Sequence, residues 1–292
     1  MTERTVLCVG ETMGLLTPTS DLRTEPLLHV HQAGAESNVA AGLAHLGVRS
    51  RWLSRVGDDD FGAIITDFLA ARGVDTSAVV VDPERPTGLM VKTVRDGQTS
   101  VRYARAGSAA SRLSVADLTR DALAGVGIIH LSGITPALSE STDRLAEAVL
   151  VERVVDPLAR REVVVSFDVN HRARLWTDRA AAPRLQRLAR AADIVLVGLD
   201  EAQDLWGCRT PEDVRDLLPE PARLVVKDGA VAAHEFVRGR SGDHRLTVPA
   251  LHADVVEVVG AGDAFAAGYL AGLTTPTTPE LVEGPTPTSP ES

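Results

Sequence analysis

The chain has 292 residues, of which 44% are hydrophobic and 24% are charged, so it can bury a large core and is neither fibrous nor wholly disordered. Its formal net charge of -10 argues against nucleic-acid binding through a basic surface. The two cysteines, Cys8 and Cys208, form neither a disulfide framework nor a CxxC metal pattern, which fits a reducing compartment. No segment has the composition of a membrane span or an export signal, so we expect a cytoplasmic protein that does not bind membranes.

The N-terminal segment predicts a strand, an accessory pair of strands and a helix. Residues 5–10 form a short apolar run typical of a buried parallel strand, and short apolar segments within residues 12–32 predict strands of a small second sheet. A helix is predicted from Ser37, as its N-cap, to Gly47, as its stop. Near its start, Asn38 fits either ordinary helix-terminal polarity or binding of sugar hydroxyls, and the residue alone favours the first.

Three consecutive aspartates at residues 58–60 separate a predicted strand, residues 51–56, from a predicted helix, residues 61–71. A run of carboxylates resembles a metal site. Consecutive acids just before a helix are more often capping and solvating residues, so capping is the favoured interpretation.

A predicted hairpin interrupts the alternation of strands and helices. Two strand-like segments within residues 86–106 flank Asp96-Gly97, a strong turn signal, and with residues 12–32 they predict a small sheet covering a site. Tyr103 and Arg105 are two positions apart and therefore project from one face of their strand. An aromatic ring beside a fixed cation suits a hydroxylated acid, but an exposed edge strand of ordinary β-formers explains the same residues equally well.

Further strands are predicted at residues 127–131, 162–168, 194–197 and 224–227, separated by helical segments, which indicates a mainly parallel central sheet. Polar residues follow these strands, where open α/β sheets bind ligands. Residues 168–172 either face the ligand or form a hydrogen-bonded loop network. The acids within residues 198–201 either complement the dipole of the next helix or hold hydrated magnesium. Lys227 is compatible with phosphate binding or with a surface position.

The most informative stretch is residues 255–270. A valine-rich run predicts a strand that changes into a helix at Gly260 and Gly262, where free backbone N–H groups suit an anion. Asp263 in the first helical turn either complements the helix dipole or accepts a proton from a hydroxyl that attacks a phosphoryl group. The stretch is neither a Walker A loop nor a dinucleotide fingerprint.

Residues 274–292 contain five prolines among threonine, serine and glutamate and show no helical or strand period. We expect a disordered tail after a single domain spanning residues 1–273.

Together, these features resemble the ribokinase-like, or PfkB, carbohydrate kinase family, over residues 5–273. The resemblance is strongest in Gly-Ala-Gly-Asp-Ala-Phe at residues 260–265, with Ala-Gly at 267–268. It implies an α/β, ribokinase-like three-layer fold with a mainly parallel central sheet and a small β-sheet lid. It also implies that Gly260, Ala261 and Gly262 form an anion hole and that Asp263 is the base that activates the acceptor hydroxyl.

Four further motifs, at residues 34–38, 103–111, 130–135 and 168–172, resemble the members that act on 2-keto-3-deoxygluconate. By that resemblance, the residues that would hold a sugar acid are Gly34, Asn38, Tyr103, Arg105 and Arg172. Those on the nucleotide side would be Asn170, Lys227 and Gly229, together with Gly260 and Gly262. Glu201 would hold magnesium through water.

The function implied is ATP-dependent phosphorylation of a sugar acid at its terminal hydroxyl, with 2-keto-3-deoxygluconate giving its 6-phosphate. ATP and Mg²⁺ are the expected cofactors, and neither nucleic acid nor membrane is an expected partner. The resemblance also allows a homo-oligomer formed through the lid sheet. Two alternatives stay open: a kinase of another sugar or nucleoside, and a truncated, non-catalytic sugar-binding homologue whose polar tail replaces the family's usual C-terminal end.

Overall fold

A computed structural model of the protein describes residues 4–95, 98–176, 180–240, 242–252 and 260–274, with the backbone alone at 94, 95, 98 and 99. The Asp96-Gly97 turn, the valine-rich run before Gly260 and the tail from residue 275 lie outside the described residues. The strands are β1 (Thr5–Val9), β2 (Met13–Pro18), β3 (Leu28–Ala33), β4 (Ser50–Gly57), β5 (Val79–Asp82), β6 (Leu89–Arg95), β7 (Gln98–Ala104), β8 (Val126–Ser132), β9 (Val164–Asp168), β10 (Ile194–Gly198), β11 (Arg223–Asp228), β12 (Ala232–Gly239) and β13 (Gly242–Pro249). The helices are α1 (Ala35–His45), α2 (Asp60–Ala70), α3 (Glu140–Leu150), α4 (Val155–Ala159), α5 (Ala181–Ala191), α6 (Leu199–Trp206), α7 (Pro211–Leu217) and α8 (Ala261–Thr274).

The larger sheet has the strand order β13-β12-β11-β10-β9-β8-β1-β4-β5. All neighbouring strands are parallel except β12, which pairs antiparallel with both β11 and β13. Between β1 and β8 the strand order reverses, because the chain first adds β4 on one side of β1 and later adds β8 on the other. Such a switch opens a crevice at the carboxyl ends of the strands, which is where ligands bind in open α/β sheets.

Helices cover both faces of this sheet, so its inner strands are apolar runs rather than alternating ones. In β1, Val6 and Cys8 pack with residues of α1, α2 and α8. Leu7 and Val9 point to the opposite face and pack with residues of α3, α5, α6 and α7. The mainly parallel, three-layer α/β architecture predicted from the sequence is therefore confirmed.

The second sheet has the order β3-β2-β6-β7, with β2 and β6 parallel and the two outer pairs antiparallel. These strands correspond to the lid segments predicted within residues 12–32 and 86–106, except that β3 ends one residue later, at Ala33. The β12–β13 hairpin was not predicted, although Ala232, His234 and Phe236 alternate with less buried neighbours in the pattern of a half-buried strand.

Two local predictions have clear outcomes. The predicted N-cap at Ser37 is wrong: α1 begins at Ala35 after an extended Gly34, and the Ser37 hydroxyl donates back to the Gly34 carbonyl at 3.1 Å. Capping is the correct interpretation of the aspartate run, because the Asp59 carboxylate accepts from the N–H groups of Gly62 and Thr87. In the described part of the chain, no three His, Cys, Asp or Glu side chains form a metal-binding group.

No helix within the described ranges has both the length and the apolar character needed to cross a bilayer.

Candidate active site

A cavity of about 1920 Å³ lies between the lid sheet and the carboxyl edge of the larger sheet. On the acceptor side, the predicted residues that line it are Gly34, Asn38, Tyr103, Arg105 and Arg172. On the nucleotide side they are Asn170, Glu201, Lys227 and Gly229, with Gly260, Ala261, Gly262 and Asp263. The fold thus brings all the predicted site residues to one cavity.

Helices α1 and α8 present their N-terminal ends to this cavity side by side. A Cβ atom at Gly42 would lie 2.7 Å from the Ala267 Cβ, so the glycine permits very close packing of the two helices. One turn earlier in each helix, the Asn38 Nδ2 donates to the Asp263 Oδ2 at 2.8 Å. Because both contacts advance by four residues, the helices run in the same direction.

The turn that opens α8 has the geometry of an anion site. Gly260 has φ +85°, in the left-handed region that favours glycine, and its carbonyl accepts the Ala264 N–H at 2.9 Å. The backbone N–H groups of the first helical turn precede any intrahelical bond, so they are free to bind an anion at the positive end of the helix dipole. Gly260, Ala261 and Gly262 all border the cavity.

Burial raises the pKa of the Asp263 carboxyl, and the nearby Asp168 charge raises it further. The hydrogen bond from Asn38 and the cations Arg172 and Lys227 oppose this rise. A carboxylate with a raised pKa is a stronger proton acceptor than an ordinary aspartate, which suits a general base.

Asp168 is a site residue that was predicted only as part of the polar stretch of residues 168–172. Its carboxylate accepts from the Lys227 Nζ at 3.0 and 3.3 Å. Burial alone would lower the pKa of Lys227, but the charges of Asp168 and Glu201 reverse this effect and raise it. Lys227 is therefore a stable cation at the end of β11.

The carboxylate of Glu201 is held by backbone donors. Its two oxygens accept the His171 N–H at 3.1 Å and the Gly198 N–H at 3.0 Å, the second bond capping α6. Burial and the Asp168 charge raise the pKa of Glu201. Since both oxygens already accept hydrogen bonds, the geometry suits a contact to a metal ion through water.

Arg105 is fixed by Glu11, which is not among the predicted site residues. The Arg105 guanidinium forms an ion pair with the Glu11 carboxylate, whose side chain is 1% exposed. The Ser108 N–H donates to the Arg105 carbonyl at 3.1 Å in a tight turn. This turn lets the Ser108 hydroxyl donate to the Glu11 carboxylate at 2.9 Å. We call Glu11, Arg105 and Ser108 the arginine clamp. An acid directly after an apolar strand was its only sequence signal.

Arg172 differs from Arg105 in its surroundings. Its side chain is 56% exposed, and its Nη1 lies 3.7 Å from the Glu201 Oε1. Tyr103 is also partly exposed, and its ring centroid lies 5.7 Å from the Arg105 Cζ. Of the two predicted arginines, Arg105 is therefore largely buried and paired, whereas Arg172 is more exposed and loosely held.

The predicted nucleotide side has exposed apolar side chains and one unpaired polar atom. Leu246 and Val248 of β13 are more than half exposed and line the cavity, as does Phe265. The buried Oδ1 of Asn170 has no hydrogen-bond partner in the described part of the chain. A buried oxygen without a partner is costly, so a ligand donor at this point would be favourable.

Comparisons with known proteins agree with this architecture. The pattern of the pfkB family carbohydrate kinases matches residues 3–281. The 2-dehydro-3-deoxygluconokinase of Bacillus subtilis (strain 168) is 39% identical over 254 residues, which cover 82% of this chain and 74% of that protein. The 2-dehydro-3-deoxygluconokinase of Thermoproteus tenax is 36% identical over 263 residues, covering 86% of this chain and 77% of the relative.

Two solved structures share the fold. A PfkB protein from Polaromonas sp. JS666 superimposes with a TM-score of 0.80 at 36% identity, covering 93% of this chain and 89% of the other. A fructokinase from Xylella fastidiosa with bound ATP gives a TM-score of 0.80 at 25% identity, covering 94% of this chain and 83% of the other. With its ribokinase-like fold, its lid sheet and a family match over nearly its whole length, the chain belongs to the pfkB family of carbohydrate kinases and is a sugar kinase.

Proposed function

We propose that the protein transfers the γ-phosphoryl group of ATP to the terminal hydroxyl of 2-keto-3-deoxygluconate and forms the 6-phosphate. The observation that carries this proposal is the position of Asp263. It lies at the N-terminal end of α8 and lines the same cavity as Tyr103 and Arg105, which we assign to the sugar, and Lys227, which we assign to the phosphates. The names of the Bacillus subtilis and Thermoproteus tenax relatives support the choice of acceptor.

Recognition of the acceptor follows from the charges on the sugar side. Arg105 and Arg172 are suited to the carboxylate of a sugar acid, because a guanidinium donates two parallel hydrogen bonds to a carboxylate. Gly34 lets the start of α1 pack closely against the chain after β1, since a Cβ atom there would lie 2.4 Å from the Glu11 carbonyl oxygen, and its backbone would face the substrate. Tyr103, and Asn38 through the N–H that does not bond Asp263, would donate to hydroxyl groups.

In the transfer step, Asp263 takes the proton of the terminal hydroxyl while that oxygen attacks the γ-phosphorus. The bond from the γ-phosphorus to the β–γ bridging oxygen breaks, and ADP leaves with the electron pair. The backbone N–H groups of residues 260–262 would bind the charge on the transferring group. Closure of the lid sheet would exclude water and favour the sugar over hydrolysis.

The phosphate donor would be ATP with its magnesium ion. The Xylella fastidiosa fructokinase structure contains ATP, which supports this assignment. The phosphates would lie beside Lys227, Asn170 and Gly229. The adenine ring would lie against the apolar side chains of Leu246 and Val248. Magnesium usually keeps several waters and binds substrate phosphates, so Glu201 would hold it through water. When bound, the ion would supply positive charge that offsets the charge on the phosphates.

A coupled assay of ADP formation with 2-keto-3-deoxygluconate tests the proposal. We expect turnover with this acid to exceed turnover with fructose and with the neutral alcohol that lacks the carboxylate. Preferred turnover of a neutral sugar or nucleoside would assign another acceptor. Calorimetry that detects the sugar acid but no ATP analogue would instead identify a sugar-binding homologue without kinase activity.

We also propose that the lid sheet forms a homo-oligomer. Val30 is 43% exposed on the face of this sheet opposite to that of Tyr103, so the lid offers apolar surface to a second copy. Sedimentation velocity of the wild type and of Val30→Lys tests this, since the charged variant should dissociate. A monomeric wild-type protein at assay concentrations would contradict the proposal.

A further inference from the structure

Asp263 is the last member of a short chain of side-chain hydrogen bonds that begins in the lid. The Gln32 Nε2, on β3, donates to the Asn38 Oδ1 at 3.5 Å. The Asn38 Nδ2, on α1, donates to the Asp263 Oδ2 at 2.8 Å. The consecutive elements β3 and α1 thus meet α8, which is distant in sequence, at the proposed base.

The chemistry of the three groups fixes the orientation of the Asn38 amide. An ionised carboxylate only accepts hydrogen bonds, so Asn38 must direct its NH₂ group toward Asp263. Its carbonyl oxygen then points the other way and needs a donor, which Gln32 provides. With the amide reversed, the Asn38 oxygen would face the carboxylate, and two acceptors would repel each other.

Stability alone does not account for the position of Gln32. Its Oε1 is buried and has no hydrogen-bond partner within the described ranges. A buried unpaired oxygen destabilises the fold. The same side chain makes one long hydrogen bond, to Asn38, so its geometry serves the orientation of that amide more than the free energy of folding.

We propose that Asn38 and Gln32 are positioning residues that align the Asp263 carboxylate for proton abstraction. This inference rests on the proposed role of Asp263 as the base. Asn38 occupies Oδ2 and thereby leaves Oδ1 for the acceptor hydroxyl. Because Gln32 belongs to a lid strand, the position of the lid sets the orientation of the base, so that the base is aligned when the lid is in place.

The charged groups around Asp263 determine how its pKa will change when a neighbouring side chain is substituted. Asp168 on β9 and Glu36 on α1 disfavour its ionised form, whereas Lys227 on β11 and Arg172 after β9 favour it. Asn38 acts in the same direction as the cations. Removing its hydrogen bond should therefore raise the pKa of Asp263 and move the acid limb of kcat to higher pH.

Two neutral substitutions test the proposal. Asn38→Leu, which keeps the side-chain shape, should lower kcat about tenfold and move the acid limb upward by about one pH unit, as expected for a lost hydrogen bond to a charge. Gln32→Met should move the limb in the same direction by a smaller amount. The control is Gln203→Met, which replaces an exposed glutamine on α6 and should change neither kcat nor the pH of the acid limb.

The double variant shows whether Gln32 acts through Asn38. In the Asn38→Leu background, Gln32→Met should cause no further shift of the acid limb. An equal shift in both backgrounds would mean that Gln32 acts by another route. An unmoved limb in both single variants would overturn the inference.

A direct titration separates this inference from the proposed function. Carbon-13 NMR of the aspartate carboxyls follows Asp263, whose signal is identified by its loss in Asp263→Asn. If no acceptor is phosphorylated by the wild type, the proposed function fails. The titration still decides whether the Asn38 and Gln32 variants raise the Asp263 midpoint.

Discussion

The two sides of the cavity are organised differently. On the proposed acceptor side, Arg105 and Asp263 are held by other side chains, as in the arginine clamp and in the Asn38–Asp263 hydrogen bond. On the proposed nucleotide side, β13 is exposed along its whole length. The sugar side is thus arranged before binding, whereas the nucleotide side offers surface that a ligand must cover.

This difference has an energetic consequence. A preorganised site loses little side-chain entropy on binding, so its hydrogen bonds contribute fully to affinity and selectivity. An open apolar wall contributes through area, without strict geometry. We therefore expect sharp selection of the sugar acid and a looser grip on the nucleotide, and substitutions on the two sides should affect different kinetic constants.

The largest effect is expected where the two sides meet. Asp263→Asn should reduce kcat by about 10²- to 10⁴-fold, because the amide cannot take the proton of the acceptor hydroxyl. The KM values of both substrates should change little, since the side-chain shape is kept. Steady-state kinetics measures this, with Asp67→Asn, an exposed carboxylate on α2, as the control. Near-normal turnover of the Asp263→Asn variant would remove Asp263 as the base.

The arginine clamp provides the next test of preorganisation. Glu11→Gln should destabilise the protein by about 3–5 kcal/mol, because it leaves the buried Arg105 cation without its counter-ion. Glu84→Gln, in which a 78% exposed carboxylate loses only a surface ion pair, should cost less than about 1 kcal/mol. Urea unfolding of both variants measures the difference. Equal losses would show that the clamp is not the rigid part of the acceptor side.

The buried His130, which lies on a strand of the central sheet, gives a prediction for how the free energy of unfolding depends on pH. His130 on β8 shares a hydrogen bond with the Ser166 hydroxyl, and burial lowers its pKa from 6.5 to about 4. As the pH falls, this histidine therefore binds its proton at a higher pH in the unfolded chain than in the folded protein. The free energy of unfolding consequently decreases as the pH drops from about 6.5 toward 4. At pH 5 this loss amounts to about 2 kcal/mol.

His130→Asn should remove that part of the pH dependence, because the amide can still bond Ser166 but does not titrate. Unfolding free energies at pH 7 and pH 5 provide the comparison with the wild type. If the variant loses as much stability as the wild type between these pH values, other groups cause the acid sensitivity.

Much of the fold followed from local sequence, and much of the site geometry did not. The apolar run of β1 and the turn at Gly260 were recognisable because their signals lie within a few residues. The Asn38–Asp263 bond joins positions 225 apart, and Arg105 meets Glu11 across 94 positions, so no local pattern reveals either contact. The sequence placed the right residue types at the right strand ends, and tertiary packing decided which of them are paired.

The smallest expected effect belongs to the nucleotide side. Val248→Ser removes apolar surface from a 54% exposed residue of β13, so the KM for ATP should rise by only about two- to fivefold, with kcat and the KM for the sugar acid unchanged. Val81→Ser is the matched control, because Val81 is 57% exposed on β5, the edge strand at the opposite end of the same sheet. A change in the sugar KM, or an ATP effect as large as that of Asp263→Asn, would contradict the division between a preorganised acceptor side and an open nucleotide side. A selective, modest effect would instead place the adenine of ATP against Val248, because this side chain can change the KM for ATP only if the bound nucleotide covers it.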